Sequence, residues 1–189
     1  MSVYTISLFL HVVGALGIFA ALGLEWAGLS NLRRATETSQ VREWIGLLAA
    51  PRVVGGPAAL ITLVSGIYMS ATRWGPQGWI VVGLAGMVVI AVLGATISGR
   101  RVGAIAGALP ESVGPISKSL AQQLHDPALI LGLRVRTALG LGIVFLMSTR
   151  PGWGGALAVM GLAVVAGAAA ALPARGAARG HTQMAGNER

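Results

Sequence analysis

Residues 3–31 read VYTISLFLHVVGALGIFAALGLEWAGLSN, and this stretch decides the fold. Its only formally charged side chain is Glu25. A hydrocarbon core about 30 Å thick needs roughly 20 apolar helical residues to cross it, and this run exceeds that length. No basic segment precedes the apolar run, so it is expected to be a span and not a cleaved secretory signal.

Working outward, charges elsewhere leave windows of the same size. Residues 53–72 lie between Arg52 and Arg73, a third span at about 78–98 lies between Arg73 and Arg100, and a last one at 153–173 lies between Arg150 and Arg175. Residues 129–149 read as a fourth crossing although Arg134 and Arg136 fall inside it. A central arginine costs about 2.5–3.5 kcal/mol on insertion scales, less near an end where it can snorkel. Composition agrees with lipid as the solvent: 54% of residues are hydrophobic and 11% charged, against about 25% charged in an ordinary soluble domain. The absence of cysteine excludes disulfides and thiolate metal sites.

Five crossings divide the cations unequally. Arg33, Arg34, Arg42, Arg52, Arg100, Arg101, Lys118, Arg134, Arg136, Arg175, Arg179 and Arg189 fall on one side, and only Arg73 and Arg150 on the other. The positive-inside rule then puts the amino terminus outside and the carboxyl terminus in the cytoplasm. Tyr4, Tyr68, Trp74, Trp79 and Trp153 land at the outer interface, Trp26 and Trp44 at the inner one, as belt residues should. The formal charge of +8 is thus a record of orientation, and no basic face with stacking aromatics points to nucleic acid. The expectation is an all-α, polytopic helical bundle over residues 1–173, a four-helix core plus one helix, in the cytoplasmic (inner) membrane of a bacterium. Residues 174–189, rich in Ala, Gly and Arg, read as a disordered cytoplasmic tail.

The two inner loops look alike. Val41, Trp44, Ile45 and Leu48 share one helical face after Arg33-Arg34; Val113, Ile116, Leu120 and Leu124 recur similarly after Arg100-Arg101. Each is expected to be a short amphipathic helix, followed by Pro51 or Pro127 at the next span. Gly99, Gly103 and Gly107 form a small-xxx-small ladder suited to close helix packing. Asp126 is placed to cap the fourth span, with His125 at the interface.

In the opening helix Tyr4, Ser7, His11, Gly14, Ile18, Ala21, Glu25 and Gly28 recur at spacings of three and four, so they share one face. A histidine and a carboxylate cannot face lipid cheaply, so this stripe is expected to face the bundle interior. Glu25 lies at a depth where Arg134 or Arg136 can meet it. Those two point to nearly opposite sides of their helix, so one of them is the partner, in a structural ion pair or in a Glu25–Arg134 gate. His11 is the only histidine in a span. Met69 and Met147 lie at its depth, and histidine with thioethers suits Cu(I) or a His/Met haem. The alternative is packing for these methionines and, for His11, a hydrogen bond across helices to Ser or Thr; Thr62, Ser65 and Met69 share a face of the second span, which supports either reading. No paired carboxylates at matched depth, HExxH or Ser/His/Asp set supports hydrolytic catalysis.

Leu10-His11-Val12-Val13-Gly14, together with residues 131–151, LGLRVRTALGLGIVFLMSTRP, resembles a family of small bacterial integral membrane proteins of uncharacterised role. That family is similar in outline to the copper-resistance D and haem-binding four-helix membrane proteins. The resemblance implies b-type haem held by intramembrane histidine, with His11 at the first-helix ligand position, and copper handling by analogy of fold. The chain departs from those relatives in lacking a second intramembrane histidine. Three functions stand at this point: a non-catalytic membrane subunit packing with itself or a partner, a haem b- or copper-binding redox or metal-handling protein using His11, and a small transporter gated at Glu25.

Overall fold

The computed structural model describes residues 2–170, and all regular structure among them is helical. The helices are α1 (Val3–Leu32), α2 (Thr38–Leu47), α3 (Ala50–Met69), α4 (Gly78–Leu93), α5 (Arg100–Gly107), α6 (Lys118–Leu124), α7 (Pro127–Thr149) and α8 (Trp153–Ala169). A π-helical segment, Ser70–Trp74, extends α3, and a second, Gly94–Gly99, joins α4 to α5. Four stretches are long and apolar enough to cross a membrane: Val3–Leu32, Thr38–Trp74, Gly78–Gly107 and Lys118–Thr149. The fifth helix, α8, has 17 residues. At 1.5 Å per residue it covers about 26 Å, short of a full hydrocarbon core. The expected tail at 174–189 lies outside the described residues.

Local chemistry explains the boundaries. Ser2 caps α1 by accepting from the Thr5 amide at 3.2 Å. Gln40 Oε1 accepts from the backbone N–H of Thr36 at 2.9 Å and of Glu37 at 3.4 Å, tying down the start of α2. Pro51 and Pro127 stand in first turns, where the missing N–H costs nothing. Asp126 Oδ1 accepts from the Ala128 amide at 2.8 Å, so the expected cap of α7 is present.

The expected symmetry of the two loops is absent. After α1 the chain turns and restarts as α2. After α4 it continues through the π segment into α5, past the boundary expected at 98, until Pro110 disfavours helical Leu109. Residues 113–117 are not helical, and only α6 remains of the second amphipathic stretch.

Two groups of helices make up the bundle. One is α1 laid along α3; the other is α7 packed against α8 and α4. They meet mainly where α1 crosses α7, while α3 and α4 make no comparable contact, leaving a cleft between them. Glycines set the close approaches. A β-carbon at Gly14 would lie 2.8 Å from the Ala58 carbonyl oxygen, and one at Gly167 would lie 2.8 Å from the Val135 Cα. The expected ladder at Gly99, Gly103 and Gly107 does not pack helices together: Gly103 and Gly107 face open space.

The bundle has a basic end and an aromatic end. At the basic end α2, α5, α6 and the first turns of α7 enclose a core in which Leu29, Leu32, Val41, Leu124, Leu129 and Leu133 are essentially fully buried. Thr38 stitches this cap: its hydroxyl donates to the Ser112 carbonyl at 3.2 Å and accepts from the Gly114 amide at 3.0 Å. At the aromatic end Trp74 and Trp79 meet edge to face with centroids 5.9 Å apart, and the Trp74 indole donates to the Tyr4 hydroxyl at 3.3 Å.

Candidate functional site

The stripe on α1 faces inward: Gly14, Ala21, Glu25 and Gly28 are buried, and Tyr4, Ser7, His11 and Ile18 are half-buried. It borders two cavities, one above the other in the gap between the helix groups.

The cavity at the aromatic end has a volume of about 500 Å³ and is walled by α1, α3, α4 and α7. His11, Met69 and Met147 all line it, as does Met87. The imidazole is fixed by α3. His11 Nδ1 lies 2.9 Å from the Thr62 carbonyl oxygen, which can only accept, so the ring proton sits on Nδ1. The Ser65 hydroxyl donates to the Ile61 carbonyl at 2.6 Å and offers a lone pair to the same Nδ1–H at 3.3 Å. Gly66 makes room for the ring: a β-carbon there would stand 3.1 Å from His11 Cε1. Nε2 is left with its lone pair, the state in which imidazole binds metals, and a carbonyl on the far nitrogen is the usual way to fix that state.

Arg150, placed by sequence only among the cations of the sparsely charged side, also lines this cavity. It ends α7 in the left-handed conformation, φ 50°. Its guanidinium stands 4.4 Å over the Trp74 ring, while Arg73 stands 4.8 Å over Tyr4. The signal was Pro151, which disfavours the right-handed helical conformation at Arg150 and marks the end of α7 there.

The cavity at the basic end, about 660 Å³, holds the buried ion pair. Arg136 Nη2 donates to Glu25 Oε2, and the side chains are 8% and 11% exposed. Of the two arginines that the sequence leaves open as the partner, Arg136 makes the pair, so the Arg134 named in the gate alternative is not the residue on Glu25. Both arginines reach α1, at different residues: Arg136 meets Glu25 and lies beside Gly94, while Arg134 lies 6.0 Å over the ring of the next residue, Trp26. Glu25 Oε1, Arg136 Nε and Ser98 Oγ are buried without a hydrogen-bond partner in the protein. Ile18, Met87 and Ile90 line both cavities and form the partition between them.

Beyond the cavities, Arg101 Nε donates to Asp126 Oδ2 at 2.6 Å. That bond, helped by the Ala128 amide, holds the Asp126 carboxyl below its ordinary range against the opposing effect of partial burial. His125 is exposed and its Nδ1 donates to the Ala121 carbonyl at 2.9 Å, far along the chain axis from His11. Among the described residues no three His, Cys, Asp or Glu side chains are grouped to hold a metal ion; a site here draws on one imidazole and thioethers. Comparison with protein-family models, curated proteins and solved structures finds no match, so the chemistry of the cavities rests on the residues themselves.

Proposed function

We propose that the chain is a multi-pass protein of the bacterial cytoplasmic membrane, amino terminus outside, that holds a haem b in the aromatic-end cavity through His11 Nε2. The observation that carries this reading is the Thr62 carbonyl on His11 Nδ1, which leaves Nε2 as the unprotonated ring nitrogen of a residue lining an apolar cavity of about 500 Å³. Such a volume falls in the range of cofactor pockets and far exceeds what a bare Cu(I) ion needs. Met69 and Met147 line the same space, and one of them would offer a thioether to the iron of a bound haem. Arg150 at the cavity offers a cation for a propionate. A haem bound there would supply one-electron chemistry, while the protein fixes the imidazole, excludes water and sets the charge around it.

The test is a visible spectrum and metal content of protein purified from haem-replete cells. A Soret band that His11→Ala abolishes is the expected result; a colourless preparation free of iron and copper ends the haem reading. In that case the chain is a non-catalytic membrane subunit, a role favoured by the flank of α3 that no other helix covers. Copper without a Soret band would assign the site to Cu(I).

A further inference from the structure

The basic-end cavity is independent of the haem reading and has its own chemistry. Its walls carry Arg52, Arg100 and Arg136 against a single acid, Glu25. With Arg136 committed to Glu25, two positive charges remain uncompensated. Arg52 is held in place by donating from Nη2 to the Gly99 carbonyl at 3.1 Å, which leaves most of its five N–H donors free. Deeper in, Glu25 is 9% exposed and Arg136 6% exposed. Each keeps one polar atom without a partner: an acceptor at Glu25 Oε1 and a donor at Arg136 Nε. Buried polar atoms are rarely left so, because each costs about 1–3 kcal/mol unpaired. What fits is an occupant with anionic oxygens for the arginines and a hydroxyl for the carboxylate.

The shape of the cavity says how such an occupant arrives. Gly55, Gly56 and Ala59 of α3, Ala91 of α4, and Gly94 and Ala95 of the π segment all line the cavity, yet α3 and α4 do not pack on each other. Small residues in lipid ordinarily bring helices together; here both rows line an open slot. The cavity is open between α3 and α4, and its lining passes from Arg52, Arg100 and Arg136 to Ile18, Met87 and Ile90. Rows without bulky side chains leave room for a hydrocarbon chain beside the charges.

We propose that this cavity binds an anionic phospholipid of the phosphatidylglycerol class. Its phosphate meets Arg52 and Arg100, its headgroup hydroxyls reach the Glu25–Arg136 pair, and one acyl chain lies in the slot between α3 and α4. Basic pockets between membrane helices recognise lipid phosphates by this combination of charge and lateral access.

The test uses the full chain in a neutral detergent, followed by thermal unfolding and by native mass spectrometry. Added phosphatidylglycerol is expected to raise Tm by roughly 5 °C at saturation and to appear as one retained lipid per chain. Phosphatidylcholine and inorganic phosphate are expected to do neither. Arg52→Gln/Arg100→Gln alters only exposed side chains, so it should melt close to the parent without lipid and lose both the shift and the retained mass. Equal stabilisation by phosphatidylcholine would mean a chain-filled slot without headgroup recognition. Equal stabilisation by inorganic phosphate would mean a site for a soluble anion. Either result, or an undiminished lipid effect in the double variant, overturns the proposal. Should the double variant fail to fold, Arg100→Gln alone is read by the same lipid count, and full retention there is equally adverse.

Discussion

Glu25 and Arg136, 111 positions apart, form a buried ion pair that ties α1 to α7 at the place where the two halves of the bundle meet. Both side chains are largely buried, 8% and 11% exposed. The pair is worth little compared with a well-packed apolar pair, but either charge left alone is expensive.

Removing one partner is therefore expected to destabilise the protein by about 3–5 kcal/mol. Arg136→Met should cost the most, because it strands a carboxylate; Glu25→Gln should cost less, since the amide still accepts from Arg136. The double variant Glu25→Gln/Arg136→Met should be more stable than the sum of the singles. Melting curves in detergent check this, and an unchanged curve for Glu25→Gln would remove the pair from the account.

Gly66→Ala places a methyl 3.1 Å from His11 Cε1 and 3.3 Å from Nδ1, so it should push the imidazole off its Thr62 anchor. Haem affinity is expected to fall about tenfold, the usual order for disturbing the group that orients a ligand. Gly23→Ala on the same helix as His11 meets nothing within 4 Å and should leave the Soret band unchanged. Haem titration of the two variants decides it.

Gly14→Val and Gly167→Val each drive a side chain into a neighbouring backbone, at Ala58 and at Val135. Losses of about 1–3 kcal/mol are expected. Gly103→Ala enters open space within a helix and should be neutral or gain up to about 1 kcal/mol. Chemical unfolding of the three variants side by side ranks them.

Asp126→Asn keeps a helix cap and removes a charge. Because the folded protein holds the Asp126 carboxyl below its ordinary range, chiefly through Arg101, the wild-type advantage is complete above the ordinary carboxylate range. It shrinks as pH falls through that range towards the depressed value. Both side chains are partly exposed, so the gap should not exceed about 1 kcal/mol. Melts of the pair at neutral and acidic pH measure it.

The absence of cysteine makes orientation directly measurable. A single cysteine at Pro76, beside the tryptophans, should react with a membrane-impermeant reagent in whole cells, and one at Ser112 should react only after lysis. The reverse pattern would invert the proposed topology.

Much of this architecture is legible in the sequence because lipid punishes polarity so heavily. The charge-free windows mark α1, α3 and α4, and the spacing of His11, Gly14, Ala21 and Glu25 marks the inward face of α1. The choice between Arg134 and Arg136 was not legible: two positions on one helix differ by rotation, and rotation is set by what α1 and Gly94 present opposite. Nor was the fate of residues 100–107, where a helix runs on through a π segment whose hydrogen bonding leaves no mark in composition. Arg150 was given no role for another reason: a charge at a span end carries no sign of which way it turns, and its place at the cavity follows from the left-handed turn before Pro151.

The stitching of Thr38 to Ser112 and Gly114 bears on how the chain is made. When the ribosome has delivered the first two crossings, the partners of Thr38 have not yet been translated, and the counter-ion of Glu25 lies further still along the message. An acid already threaded into the bilayer must wait for the fourth crossing to emerge. Assembly thus completes late: nascent fragments stopped before Arg136 carry Glu25 without its counter-ion.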